Sequence, residues 1–158
     1  MNYQIRKSEA KDMVFVLELI KELAFYEKEA NEVAISAEDL IRDGFSNPPL
    51  FSCFVAEVES TIRGAAIFYN RYSTWKGKTV HLEDLIVQEA YRGKGLGKAL
   101  YSAVMEEAWS QGVKRVEWNV LDWNEPAIKF YESTGAKVLR DWDTAQMSFD
   151  SLKSFLNK

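Results

Sequence analysis

The sequence predicts an α/β protein in which a mixed, mostly antiparallel sheet is flanked by helices, within one domain of residues 1–158. Two observations predict it. Segments with the two-residue alternation of strands occur between segments with the 3.6-residue spacing of helices, in the order β-α-α-β-β-β-α-β-α-β. The length of 158 residues and the hydrophobic content of 47% are typical of a single globular domain with a substantial core.

The N-terminal third is predicted to form one strand and two helices. Tyr3 and Ile5 alternate with polar neighbours, as in a short strand. A helix is expected from Asp12 to about Tyr26. Its expected buried face consists of Phe15, Leu19, Ile20 and Leu23. Ser36 to Asp39 reads as a capping box, which predicts that a second helix begins there and stops near Gly44.

The middle of the chain is predicted to supply most of the sheet. Phe51 to Val58 and Ala65 to Tyr72 are expected to pair as a hairpin, and Thr79 to Val87 forms the next strand. Val113 to Leu121 is rich in residues that favour strands. These segments therefore predict four strands in the middle of the chain.

The C-terminal part is predicted to contain a short helix followed by a last hairpin. Asn124 can cap the helix, whose first turn tolerates Pro126, and Gly135 ends it. Val138 and the segment Met147 to Phe149 are expected to form the strands of the hairpin.

Composition and charge exclude several classes of function. The net charge of −4 argues against binding to nucleic acid or to an anionic membrane, and no run of 18 apolar residues predicts a transmembrane helix. The N-terminus lacks the apolar core of a signal peptide. Cys53 is the only cysteine, which predicts a reducing, cytoplasmic location and a buried thiol. One cysteine and one histidine make a metal cluster implausible, so no metal is expected.

The segment from Arg92 to Lys98 contains three glycines between a predicted strand and a predicted helix that ends at Gly112. A glycine-rich turn that opens a helix presents backbone N–H groups at the positive end of the helix dipole, where phosphate binds. The spacing fits neither the dinucleotide fingerprint nor the nucleotide P-loop, because Lys98 replaces a glycine of the first and Ala99 replaces the hydroxyl residue of the second. A phosphate loop and a simple turn both remain possible.

The pattern R/Q-x-x-G-x-G/A, read at Arg92, Gly95 and Gly97, resembles the coenzyme A pyrophosphate loop of the Gcn5-related N-acetyltransferase (GNAT) superfamily. Longer strings extend the resemblance to nearly the whole chain. They are Tyr72 to Lys78, Leu82-Glu83-Asp84, Tyr91-Arg92-Gly93 and Val120 to Asn124. These strings are similar to the diamine acetyltransferase family, and most similar to its thialysine N-epsilon-acetyltransferase branch.

The resemblance implies a GNAT-fold sandwich, acetyl-CoA as the acyl donor and a set of site residues. It implies that Tyr131 and Glu83 are catalytic. The residues that it implies for the cofactor are Leu85, Ile86, Val87, Arg92, Gly93, Lys94, Gly95, Leu96, Gly97, Lys98, Asn124, Glu125, Pro126, Ala127 and Tyr131. Those for the substrate are Tyr26, Glu27, Trp75 and Glu83. It also implies a homodimer.

The expected chemistry explains why these residue types are useful. An alkyl amine has a pKa of about 10.4, so removing its proton at neutral pH costs roughly 4 kcal/mol. Glu83, acting through a water, is expected to attract the ammonium and accept that proton, and Tyr131 is expected to protonate the departing thiolate. A strand bulge near Leu85 would present an N–H to the oxyanion. Glu83 and Asp84, adjacent on a strand, are expected to point to opposite faces, so only one of them can serve the site, and the resemblance favours Glu83.

The sequence leaves open the roles of three residues and the identity of the amine. His81 serves either the site or packing, and Trp75 and Trp123 either wall a pocket or fill the core. Polyamine-acetylating relatives carry Asp-Pro where this chain has Ser73-Thr74, which favours thialysine or another lysine-like amine over spermidine. A diamine or polyamine acetyltransferase, a protein acetyltransferase and a non-catalytic acyl-CoA-binding module remain as alternatives.

Overall fold

The computed structural model describes residues 1–157 and contains two compact units, one of residues 1–119 and one that begins at Val120. The first unit contains β1 (Gln4–Lys7), α1 (Met13–Tyr26), α2 (Ala37–Gly44), β2 (Ser52–Val58), β3 (Thr61–Ser73), β4 (Gly77–Val87), α3 (Leu96–Ser110) and β5 (Val116–Glu117). The second unit contains α4 (Glu125–Ser133) and α5 (Phe149–Leu156). Within residues 1–157, no helix is long and apolar enough to cross a membrane.

The five strands form one sheet in the order β1-β2-β3-β4-β5. The first four strands pair antiparallel, while β4 and β5 pair parallel. A parallel neighbour requires a crossover connection, and α3 lies in that connection. The expected mixed, mostly antiparallel sheet with helices is therefore confirmed.

Helices cover both faces of the sheet. On one face Val16 of α1 packs in a buried cluster with Ala65 and Ile67 of β3. On the other face Leu100 of α3 lies against Gly64, where an added Cβ would come 3.0 Å from the leucine side chain. Gly64 and Ala65 are neighbours in β3 and so point to opposite faces. The core thus consists of two layers on either side of β3 and β4.

The bounds of α1 agree with the predicted helix, but one residue of its predicted buried face is wrong. Leu19 is buried, and Ile20 and Leu23 are partly buried against the core. Phe15, in contrast, is 49% exposed. It lies about 100° around the helix from the fully buried Val16, which turns it away from the sheet.

Two helix starts predicted from local sequence are confirmed. The Ser36 hydroxyl accepts a hydrogen bond of 3.1 Å from the Asp39 N–H, and the Asp39 carboxylate accepts one of 2.9 Å from the Ser36 N–H, so the capping box opens α2. The Asn124 side chain accepts a bond of 3.4 Å from the Ala127 N–H and opens α4. These caps satisfy N–H groups that the first turn of a helix leaves without partners.

Two predicted strand segments are corrected. The strand predicted over residues 113–121 is confined to Val116–Glu117. The predicted last hairpin is wrong, because residues 136–148 contain neither helix nor strand and Phe149 begins α5. The Ser148 hydroxyl accepts a hydrogen bond of 3.1 Å from the Ser151 N–H. This N-cap determines a helix where the residue types alone suggested a strand.

Candidate active site

The two halves of β4 differ in their pairing. In the first half, Val80 pairs with Val116 and His81 pairs with Glu117 of β5. Beyond His81 only β3 continues to pair with β4, as far as Val87. Among residues 1–157, no strand pairs with the other edge of β4 over residues 82–87. The predicted cofactor-arm residues Leu85, Ile86 and Val87 belong to this unpaired edge.

A β-bulge interrupts the pairing of β3 and β4 at Glu83. Leu82 pairs with Phe68 and Asp84 pairs with Ile67, so Glu83 has no partner of its own. A bulge of this kind places one extra residue in a strand and redirects the side chains beside it. It lies two residues before Leu85, the residue near which a bulge would present an N–H to the oxyanion.

The bulge overturns the expectation that the two acids point to opposite faces. Asp84 pairs with Ile67 and His81 pairs with Tyr69, and paired residues lie on the same face of a sheet. Ile67 and Tyr69 are two positions apart and so share that face. Because Glu83 contacts Tyr69 and His81, both acids lie on the face covered by α1.

The carboxylate of Glu83 is held at one of its oxygens. The Tyr69 hydroxyl donates a hydrogen bond of 3.0 Å to Oε2, and Nε2 of His81 lies 3.4 Å from the same atom. Among the described residues Oε1 makes no hydrogen bond or ion pair, and the side chain is 51% exposed. Glu83 therefore presents one oxygen to a ligand.

Three carboxylates form what we call the acidic group: Glu27, Glu83 and Asp84. Burial, followed by the charges of Glu83 and Glu27, raises the pKa of Asp84 to about 6. Burial and the charge of Glu29 raise the pKa of Glu27. A bound cation relieves this repulsion, and a carboxylate with a pKa near 6 is a better proton acceptor at neutral pH than an ordinary one. The acidic group is thus suited to hold and deprotonate an ammonium.

The predicted substrate residues are only partly brought together. Tyr26 and Glu27 end α1, and Glu27 lies close enough to Asp84 for its charge to raise the pKa of that side chain. Trp75 instead lies in the β3–β4 turn and is 80% exposed. Six residues of strand, roughly 20 Å, separate Gly77 from Glu83. Trp75 therefore does not join the acidic group of its own chain.

The turn at Trp75 is organised by Ser73, at the position that the sequence analysis linked to substrate choice. Its hydroxyl accepts hydrogen bonds of 3.2 Å from the N–H groups of Trp75 and Lys76. These bonds give Ser73 a structural role in the hairpin.

The segment from Arg92 to Lys98, here called the glycine loop, leads into α3. Gly93 and Gly95 have φ values of 71° and 91°, which favour glycine. A Cβ added at Gly93 would meet nothing within 4 Å, and one at Gly95 only the Tyr3 hydroxyl at 3.9 Å. No side chain caps α3, in contrast to α2, α4 and α5. The helix start is therefore open and suited to bind an anion such as phosphate.

The charged side chains of the glycine loop hold the loop itself. The Arg92 guanidinium donates to the Val87 carbonyl at 3.0 Å, lies 3.6 Å from the Glu22 carboxylate and stacks 5.3 Å from the ring of Tyr26. The Lys94 ammonium donates to the Ala90 carbonyl at 2.9 Å. Arg92 thus ties the loop to the end of α1, while Leu96 is fully buried below it. Gly97 and Lys98 continue the first turn of α3.

The remaining predicted residues belong to the unit that begins at Val120. Asn124 is the N-cap of α4, and Glu125, Pro126 and Ala127 form its first turn. Tyr131 lies two residues before the helix end, half-buried, with its ring 5.4 Å from that of Phe130. Trp123 is 43% exposed, so it does not fill a core.

Cys53 lies outside this chemistry. It is buried as expected, and burial raises the pKa of its thiol to about 12, so the nucleophilic thiolate does not form at neutral pH. Within residues 1–157, no three His, Cys, Asp or Glu side chains are grouped so as to hold a metal ion.

Sequence reasoning missed four residues around Glu83. Asp84 was excluded because side chains of a regular strand alternate between the two faces of a sheet. The sequence alone did not indicate a role for Tyr69, Arg71 or Glu117. The available signal was that polar residues alternate in both strands, Tyr69 and Arg71 in β3 and His81 and Glu83 in β4. It becomes informative only once the hairpin register is known.

Comparisons with known proteins identify the family. The family description "Acetyltransferase (GNAT) family" matches residues 14–136. A thialysine N-epsilon-acetyltransferase of Bos taurus is 36% identical over 165 residues, covering 98% of this chain and 97% of that protein. A spermidine/spermine N(1)-acetyltransferase-like protein of Homo sapiens is 38% identical over 85% of this chain, but the match covers 20% of that longer protein.

Solved structures agree on the fold. An integron cassette protein from the mobile metagenome of V. cholerae superposes with a TM-score of 0.80 at 23% identity, covering 100% of this chain and 99% of that one. Together, the matched family and the near full-length relatives show that the chain belongs to the acetyltransferase (GNAT) family and is an N-acetyltransferase.

Proposed function

We propose that this protein uses acetyl-CoA to acetylate a primary amine of a small molecule, by direct attack of the amine in a ternary complex. One observation carries the proposal: the bulge in β4 puts Glu83 and Asp84 on one face, with Asp84 near enough to Glu27 to feel its charge, close to the start of the unpaired edge that leads to the glycine loop. An amine held by the acidic group lies beside the strand edge that is open to an acyl donor.

The chain has a fitting place for acetyl-CoA. The unpaired backbone of Leu85 to Val87 would hold the pantetheine arm, and the open N–H groups at Gly95 to Lys98 would hold the pyrophosphate. The resemblance adds Asn124 to Ala127 beside the cofactor. Bound there, acetyl-CoA supplies an activated acetyl group and a thiol leaving group.

The acidic group would bind the ammonium and remove its proton. This step costs roughly 4 kcal/mol at neutral pH for an amine of pKa about 10.4. Asp84, whose pKa is raised to about 6, is the better acceptor by proton affinity, and Glu83 offers the more exposed oxygen. We propose that the two carboxylates share the role, Glu83 toward the amine and Asp84 behind it.

Tyr131 would give a proton to the departing sulfur. This role rests on the resemblance, and a hydroxyl of pKa about 10 is a suitable donor. Tyr131→Phe should lower kcat about 10²–10⁴-fold and leave acetyl-CoA affinity unchanged, as measured by stopped-flow turnover and calorimetry. A variant that keeps half of the wild-type rate of the chemical step would exclude Tyr131 as the acid.

The substrate class that we propose is thialysine or a lysine-like amine, with diamines and polyamines as the alternative. The near full-length relatives named for thialysine support the first, and the human spermidine/spermine-like relative supports the second. Ser73 supplies no negative charge for a distal ammonium. We further propose a cytoplasmic homodimer, on the basis of the single cysteine and of the resemblance.

A panel of amines with acetyl-CoA, read as release of free thiol, tests the proposal. We expect kcat/KM for thialysine to exceed that for spermidine. Spermidine equal to or better than thialysine would reject the lysine-like assignment, and no thiol release with any amine would reject the activity. Ser73→Asp keeps an oxygen that can accept the two turn hydrogen bonds, so a gain with spermidine in that variant would report charge alone.

A further inference from the structure

His81 is the only histidine of the chain, and the proposed mechanism gives it no role. It lies in β4 two residues before Glu83, and only 6% of its surface is exposed. Its ring centre lies 5.3 Å from that of Tyr69, at a tilt of 42°, and Tyr69 is the residue that donates to Glu83. A buried imidazole between charged groups must place its single neutral-state proton on one nitrogen, and the neighbours determine which.

The contacts of His81 select one tautomer. The Arg71 guanidinium lies 3.1 Å from Nδ1, and guanidinium nitrogens donate and never accept. Nδ1 therefore accepts, and the proton of the neutral ring is on Nε2. Nε2 lies 3.4 Å from Oε2 of Glu83, where an N–H is attracted and a lone pair would be repelled. Both sides of the ring thus favour the same tautomer.

Arg71 is itself fixed. Its Nη1 atom lies 2.9 Å from Oε1 of Glu117 in β5, and the other oxygen of Glu117 lies 3.3 Å from Arg115. The chain of contacts runs from β5 through β3 to Glu83 in β4. Glu117 and Arg71 lie beside the half of β4 that is paired on both sides. This fully paired part of the sheet therefore supports the half that carries the acids.

We propose that His81 is a positioning residue: Arg71 fixes its proton on Nε2, and that N–H, with the Tyr69 hydroxyl, holds Oε2 of Glu83 so that Oε1 faces the amine. The inference rests on the proposed function, which places the amine at Glu83. His81 does not take the amine proton in this arrangement, because Arg71 occupies the nitrogen that would receive it.

The electrostatic surroundings of His81 favour its neutral form. Burial, the largest effect, and the charge of Arg71 lower the pKa of His81, whereas the charges of Glu83 and Glu117 raise it, with a net lowering. Burial and the hydrogen bond to Glu83 raise the pKa of Tyr69, which keeps its hydroxyl a donor. A lowered pKa of His81 favours the neutral imidazole at neutral pH.

Nitrogen-15 NMR of the histidine-labelled protein tests the tautomer without any turnover, since one histidine gives one pair of signals. We expect a protonated Nε2 and an unprotonated Nδ1 at pH 7 and above. In Arg71→Met the same signals should titrate toward the doubly protonated ring at a higher pH. A wild-type ring protonated on Nδ1, or charged at pH 7, would overturn the proposal.

Kinetics test the positioning itself. His81→Phe keeps a planar ring without a donor, and we expect kcat/KM for the amine to fall about tenfold with KM for acetyl-CoA unchanged. His81→Gln can present an amide N–H near the position of Nε2 and should recover most of that loss. Equal losses in both variants, or a loss in acetyl-CoA KM, would indicate packing alone and reject the proposal.

The two experiments separate failure of this inference from failure of the proposed function. If no amine releases thiol while NMR finds the Nε2–H tautomer, the activity is wrong and the contacts of His81 stand. If thiol release is normal and His81→Phe matches wild type, the activity stands and the positioning role is wrong.

Discussion

The acidic group and the glycine loop both adjoin the second half of β4, but their electrostatic fields have different sources. The acidic group consists of three carboxylates, among which burial, followed by the charges of Glu83 and Glu27, raises the pKa of Asp84 to about 6. The glycine loop offers the backbone N–H groups of α3, and the side chains of Arg92 and Lys94 instead hold protein carbonyls. One end of the site therefore depends on ionisation and the other on backbone geometry.

This difference predicts that substitutions at the two ends have different effects on pH dependence and on binding. Variants of the acidic group should change pH dependence while the fold persists, because its side chains are partly exposed or disfavoured when charged. Variants of the glycine loop should change binding at every pH, since backbone N–H groups do not titrate. The following predictions test the comparison in order of decreasing effect.

The largest effect is expected at Gly95. Gly95→Asp forces a side chain into a φ of 91° and places a negative charge at the start of α3, so acetyl-CoA affinity should fall at least about 100-fold by calorimetry, roughly 2.7 kcal/mol. Gly112→Asp is the matched control, because Gly112 has a φ of 66° beyond the other end of α3. Equal losses of affinity in the two variants would show that strain alone is responsible.

A loss of about the same size is expected at Glu83, in turnover instead of in binding. Glu83→Gln keeps the size and removes the charge, and we expect kcat to fall about 100-fold at pH 7 and further at lower pH, where the amine is harder to deprotonate. Acetyl-CoA affinity should remain unchanged, which separates this end of the site from the glycine loop. A pH–rate profile with the shape and height of the wild type would remove Glu83 from the mechanism.

The smallest effect is expected on stability, at Asp84. Its pKa is about 6 in the folded chain against 3.8 for an ordinary aspartate, so the folded state loses stability as pH rises from about 4 to about 6. Asp84→Asn should therefore raise the free energy of unfolding at pH 7 by roughly 1–3 kcal/mol.

Urea unfolding of wild type and Asp84→Asn at pH 7 and pH 4 measures this effect. The difference between the two proteins should shrink at pH 4, where Asp84 is protonated in the fold. Glu83→Gln removes one of the charges that raise the pKa of Asp84 but leaves the burial of Asp84 in place, so its change in stability should be smaller than that of Asp84→Asn. A less stable Asp84→Asn protein at pH 7 would contradict the electrostatic reading of the acidic group.

Features that depend on a few neighbouring residues were predictable from the sequence. The caps at Ser36 and Asn124 and the glycine loop before α3 are local hydrogen-bonding and backbone requirements. The start of α5 was also local: Ser148 precedes apolar residues spaced as on a helix, at Phe149, Leu152 and Phe155. The strand prediction failed there because residue type was weighed above spacing.

Features that depend on pairing across the sheet were not predictable. The bulge at Glu83 arises because β4 has one extra residue between two pairs that are consecutive in β3. No short stretch of β4 indicates this extra residue. Asp84 was consequently excluded, and the contacts of His81 with Arg71 and Glu83 remained undecided. Local sequence thus predicted the glycine loop well and the acidic group only in part.

The bulge has a consequence for how such a chain is encoded. Leu82 and Asp84 already pair with consecutive residues of β3, so a chain without Glu83 would form an uninterrupted ladder with all other pairs preserved. The acid proposed to meet the amine is thus an insertion of one codon into an otherwise regular hairpin. Loss of that codon would preserve the β3–β4 ladder and remove the carboxylate proposed to meet the amine, so one position in the gene separates the pairing of the sheet from that part of the proposed site.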